Sequence, residues 1–122
     1  MRFATRTSLL FLALAALPGN AFPASAAALF GWQVVGVPAS DVLNVCASPS
    51  ARSAILVGYP TGTRLSLTGR CTGGFHLDSI NGQPGPKQQE LVRRRWCEVW
   101  LDPAGNGNWR SGWVNGRYIR PL

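Results

Sequence analysis

The chain has 122 residues, room for one domain rather than two. Twelve basic residues stand against five acids, a formal net charge of +7, and the surplus forms a run at one place alone, Arg93-Arg94-Arg95. Three cysteines permit at most one intramolecular pair, and a single histidine with scattered cysteines excludes zinc-type spacing.

The first 26 residues carry the order of a secretory signal. Arg2 and Arg6 form a positive start, Ser8 to Leu17 an apolar run, Pro18-Gly19 a break, and Ala24-Ser25-Ala26 the small residues a signal peptidase reads. The apolar run is about half the ~20 residues that a membrane-spanning helix needs. Residues 1–26 are therefore read as a signal peptide, with the mature chain beginning near Ala27. That chain would hold 96 residues, 122 minus 26, and its charge would fall to +5 with the loss of Arg2 and Arg6. It has no second apolar stretch of spanning length. The expected location is the periplasm or the exterior, a compartment that permits disulfides.

Short strands with turn signals between them follow. Gln33 to Val37 is expected as the first, then a turn at Pro38-Ala39-Ser40-Asp41, and Val42 to Cys46 as the second. Strict alternation in that second strand puts Leu43 and Val45 on one face and Asn44 and Cys46 on the other. Ser48-Pro49-Ser50 stops it, and Ala54 to Tyr59 is the third strand. Pro60-Thr61-Gly62 leads into Thr63 to Cys71, where Leu65, Leu67 and Cys71 face one way and Arg64, Ser66 and Arg70 the other.

Residues 72–94 interrupt the pattern with Gly73-Gly74, Asn81-Gly82 and Pro84-Gly85-Pro86. A structureless loop of that length is uncommon in a compact domain. A helix is expected inside it, with Pro86 at its first position and Lys87 to Arg95 free of breakers, Leu91 and Val92 as anchors, and Arg93 to Arg95 at its C-terminal end, where positive charge is favoured. Strand resumes at Trp96 to Leu101, with Cys97, Val99 and Leu101 on one face and Trp96, Glu98 and Trp100 on the other. Asp102 to Asn108 is a hairpin loop, and Trp109 to Asn115 pairs back. Asn115-Gly116 then reads as a tight two-residue reversal with positive φ, and Tyr118-Ile119 as the strand that closes a small barrel. The fold class is all-β, a barrel of five to seven short strands over 33–120 with a partly helical insertion.

Asp41-Val42-Leu43-Asn44-Val45, Ser48-Pro49-Ser50, Ile55 to Tyr59, Pro60-Thr61-Gly62-Thr63, Trp96 to Val99 and Gly112 to Ile119 stand in an order and spacing that resemble bacterial SH3-type domains. The resemblance covers Gln33 to Arg120, with Thr72–Arg94 as an insertion. Cys46 stands where the family commonly has an arginine. The resemblance implies an SH3-like barrel without catalysis of its own, exported, and holding cell-wall glycopeptide or peptide. In the eukaryotic relatives, aromatics near the last turn help line a groove for proline-rich peptides, and Trp113 and Tyr118 match that region best.

The residues give no enzyme on their own. His76 is the sole histidine and lies in the glycine-rich insertion, and the five acids Asp41, Asp78, Glu90, Glu98 and Asp102 are spread over separate elements. No cofactor and no metal are expected. Trp96, Trp100, Trp109, Trp113 and Tyr118 are dense for so short a segment. They serve either as packing at the barrel ends or as a stacking platform for a sugar or peptide. The arginines Arg93, Arg94 and Arg95 are either a solvated face or a contact for an anionic glycan, lipid head group or acidic protein. Export argues against nucleic acid. A rival to ligand binding is assembly in the cell envelope through protein contacts.

Parity pairs the cysteines. Cys71 follows the face of Leu65 and Leu67, and Cys97 shares the face of Val99 and Leu101, so both aim to one side at the two ends of the insertion. A bridge there closes a loop of about 25 residues, contributing roughly 3–4 kcal/mol in the chain-entropy view. A bulge at Gly69 would flip that parity. Cys46 is left free, as a packed side chain or as a bridge between two chains.

Overall fold

The structure is a computed structural model and describes residues 30–102 and 105–122. The signal-peptide reading and the start near Ala27 lie outside the described residues. Eight strands are found among them: β1 (Phe30–Val34), β2 (Leu43–Cys46), β3 (Ile55–Tyr59), β4 (Arg64–Cys71), β5 (Phe75–His76), β6 (Trp96–Leu101), β7 (Arg110–Asn115) and β8 (Ile119–Pro121). One α-helix, α1 (Gly85–Val92), and two 3₁₀ turns, Leu77–Ser79 and Gly116–Tyr118, complete the chain. No helix among the described residues is long and apolar enough to cross a membrane.

The strands form one antiparallel sheet in the order β3-β2-β7-β6-β4-β1-β8, with the short β5 attached to β4. The all-β expectation holds at this level. The expected closure does not: no strand ladder joins the end strands β3 and β8, so the sheet stays open. Further contacts tie the end of β1 to the β3–β4 connection. Val34 N donates to Thr63 O at 2.9 Å, Gly62 N donates to Val34 O at 2.8 Å, and the Thr61 hydroxyl bonds both the N–H and the carbonyl of Val37.

The first strand runs Phe30–Val34 rather than Gln33 to Val37. Gly36 adopts φ +73°, a left-handed turn that no strand continues through. Trp32 from β1 is 2% exposed and sits in the centre of the core, beside Val34, Val45, Leu67, Val99, Val114 and Ile119. The alternation of β4 and β6 matches the burial found, with Leu65, Leu67, Cys71, Cys97, Val99 and Leu101 all inward.

The bulge at Gly69 exists but leaves the parity intact. Leu67 faces Val99 and Cys71 faces Cys97, so four steps on β4 oppose two on β6. Two extra residues, an even number, return Cys71 to the inner face. Gly69 takes φ +105° there, and a side chain at that site would strike the His76 ring. The disulfide joins Cys71 and Cys97 across 26 positions, and Cys46 is free.

The insertion is more ordered than a single helix. It holds β5, the Leu77–Ser79 turn and α1. The helix starts at Gly85, one residue before the position expected for its start at Pro86, and ends at Val92, before Arg93 to Arg95; Val92 is fully buried. The neck is tied by more than the disulfide. Thr72 N donates to Trp96 O, Trp96 N donates to the Thr72 hydroxyl, and Arg95 Nη1 donates to Thr72 O at 2.9 Å.

The closing turn differs from the expected reversal. Asn115 has φ −73° and caps a 3₁₀ turn, its Oδ1 accepting from Arg117 N at 2.9 Å. Gly116 is not at positive φ. It is glycine for lack of room: a β-carbon would collide with the Val92 carbonyl and lie 2.9 Å from that of Arg95. Tyr118 therefore belongs to the turn, not to a strand.

Candidate functional site

A groove lies where the β1–β2 connection, β2 and the start of β3 meet the last turn. It has a volume of about 230 Å³ and is lined by Pro38, Asp41, Val42, Asn44, Cys46, Ile55, Trp96, Asn115 and Tyr118, among others. Each element supplies its part for a local reason. The Gly36 turn and the Asp41 N–H donating to Pro38 O fold the β1–β2 connection over one rim. The 3₁₀ turn presents Tyr118, and the β6–β7 register brings Trp96 opposite Asn115. Directly paired residues in a sheet show their side chains on one face, so these two stand together.

The lining is apolar with a few polar positions, the usual composition of a binding cleft. Val42 is 42% exposed and Ile55 59%. Asn115 uses Oδ1 within its own turn, which leaves its amide N–H groups for another acceptor. Asp41 accepts from Val42 N through Oδ1 and is the one acidic or basic residue lining the groove.

Cys46 also lines this groove, yet it is 3% exposed. As alternation predicts, it shares the face of Asn44, opposite Leu43 and Val45: Asn44 and Cys46 both line the groove, and Cys46 lies outside the core cluster that takes Leu43 and Val45. Its burial comes from neighbours on that face, where Trp113 is its partner on β7. A thiol so covered is a packed side chain, and a bridge to a second chain would require β2 to open.

Five aromatics are expected near the closing turn as a ligand platform. The structure brings Tyr118 and Trp96 into the groove and leaves the others out. Trp113 faces a broader hollow with Pro49, Arg70, Phe75 and His76. Its ring is covered by the Arg70 guanidinium, 5.5 Å from the ring centre. Arg70 Nη1 lies 3.6 Å from Glu98 Oε1, and the Thr68 hydroxyl donates to the same oxygen at 2.9 Å. Glu98, directly opposite Trp113 and 9% exposed, is thus partnered, a network that sequence alternation alone would have left on an outer face. Trp100 pairs with Ser111 and is 38% exposed, and Trp109 is 59% exposed before β7.

The basic run divides. Arg95 turns inward, its guanidinium 4.2 Å from the centre of the Phe75 ring and bonded to Leu91 O and Thr72 O. Arg94 borders a hollow with Thr72, Gly73 and Glu90, whereas Arg93 borders a different one with Arg117. The charge of a run is legible in sequence; the direction of each side chain past a helix end is not.

For chemistry the groove offers no nucleophile–base pair. Cys71 and Cys97 are oxidised, and His76 accepts from Asp78 N through Nδ1. Among the described residues no three His, Cys, Asp or Glu side chains converge as a metal site. Comparisons with protein-family models, curated proteins and solved structures found no match to this chain.

Proposed function

We propose that the chain is an exported binding module of the SH3 type, without chemistry of its own, whose ligand is a peptide or the peptide part of a cell-wall glycopeptide. The observation that carries this reading is the groove itself. Tyr118 and Trp96 offer apolar faces, Val42 and Ile55 lie exposed in the same groove, and Asn44 and Asn115 supply polar groups. The residue order around Leu43-Asn44-Val45 and Gly112 to Ile119 supports the SH3-type assignment. A buried disulfide and the signal-like order of residues 1–26 support an oxidising, extracytoplasmic setting.

Co-sedimentation with purified cell wall tests the reading. The protein should pellet with the wall, and the W96A/Y118A variant should remain in solution at an unchanged melting temperature. Equal pelleting of a folded W96A/Y118A variant would remove the groove from the function.

One observation favours a second reading, assembly through protein contacts. The end strand β3 carries no charge, has one sheet neighbour, and exposes Ile55. Such an edge offers unpaired backbone groups to another chain. Sedimentation velocity separates the two: a monomer that still binds wall supports the groove, and a self-associating protein that ignores wall supports the edge.

A further inference from the structure

A second surface lies along α1. One cleft between α1 and the 3₁₀ turn is lined by Pro86, Gln89, Glu90, Arg93 and Arg117 and has a volume of about 250 Å³. Another, of about 390 Å³, is lined by Gln33, Pro86, Gln89, Arg120 and the final residues. Pro86 and Gln89 border both, so the two form one trough running from Arg93 and Arg117 to Arg120. Beyond its far end the row continues. Gln33 pairs with Arg64 on β4 and with Arg120 on β8, which places those three side chains on one face.

The charge of this trough is one-sided. Glu90 is its single acid, and Lys87 lies 3.7 Å from it on the same helix. Arg93, Arg117 and Arg120 have no carboxylate partner among the described residues. Arg120 is nonetheless held in place: with the Gln33 amide oxygen turned toward it, that oxygen accepts from Nε at 2.9 Å and from Nη2 at 2.8 Å. A fixed guanidinium with a free Nη1 is prepared for an anion.

We infer that this trough is a binding surface for an acidic polysaccharide, distinct from the peptide groove. Three arginines spaced along a concave track suit a linear chain with repeated carboxylate or sulfate groups. The Gln33 and Gln89 amides suit its hydroxyls, since each donates and accepts. No aromatic side chain lines the trough, so it has no platform on which nucleobases would stack.

Titration calorimetry with polygalacturonate tests this inference. Binding should weaken as salt rises, because the contacts are exposed charges. The R93Q/R117Q/R120Q variant should bind about tenfold more weakly. The R52Q/R94Q/R110Q variant, with the same net charge but arginines outside the trough, should bind as the unchanged protein does. Should loss of the Gln33–Arg120 contact unfold the first variant, R93Q/R117Q is the replacement, since neither arginine holds another residue in place. Equal losses in the two variants would reduce the effect to net charge and overturn the inference. Tighter binding to single-stranded DNA or to phosphatidylglycerol vesicles than to polygalacturonate would overturn it as well.

Discussion

At Gly116 the chain passes so close to the end of α1 that a single methyl group does not fit. Its N–H donates to Arg95 O at 2.8 Å, and the added β-carbon would meet two backbone carbonyls that cannot swing aside. Gly116→Ala should cost roughly 1–3 kcal/mol, the usual range for overpacking. Gly82→Ala, where a β-carbon meets open space, should change stability by less than about 0.5 kcal/mol. Urea unfolding of both variants checks the contrast, and equal effects would contradict it. Asn115-Gly116 is legible in the sequence as a special pair, but not for its physical cause. A turn dipeptide and a close approach call for the same residue types, and local sequence does not separate them. The face of Cys46 was legible from the alternation of β2, but its burial on that face was not, because it depends on which neighbours the sheet brings there.

Among the elements, the insertion depends on its neck. The disulfide, the Thr72–Trp96 backbone pair and the Arg95 guanidinium over Phe75 all cross within a few residues of one another. Replacing Cys71 and Cys97 together by alanine should cost about 3 kcal/mol, less whatever strain the bridge carries. Thermal melting checks this, and hydrogen exchange should show the loss of protection greatest in β5 and α1. Uniform loss across β1, β2 and β7 would contradict the claim that the bridge serves the insertion. The pairing of Cys71 with Cys97 was readable because β4 and β6 alternate cleanly and the Gly69 bulge adds an even number of residues. The helix was readable from its prolines and its lack of breakers. β5 was not, since two residues beside Gly73-Gly74 carry no periodicity. Sheet closure was not either: it depends on long-range approach, and no ladder joins β3 and β8.

The whole molecule carries two surfaces of opposite character. One is the largely apolar groove with a single acid, Asp41, in its lining, and the other is the arginine trough along α1. Aromatic density is visible in the sequence, but only the fold sorts Tyr118 and Trp96 into the groove and places Trp113 beneath Arg70. The sheet register does this, because it decides which aromatic meets which neighbour. The central claim is that the groove holds the peptide. Amide and indole chemical-shift mapping by NMR, with muropeptides released from purified cell wall, tests it most directly. The account predicts concentration-dependent shifts at Val42, Asn44, Ile55, Trp96, Asn115 and Tyr118, with α1 and Trp109 undisturbed. Shifts confined to α1, Arg117 and Arg120, or no shifts at any concentration, would contradict it.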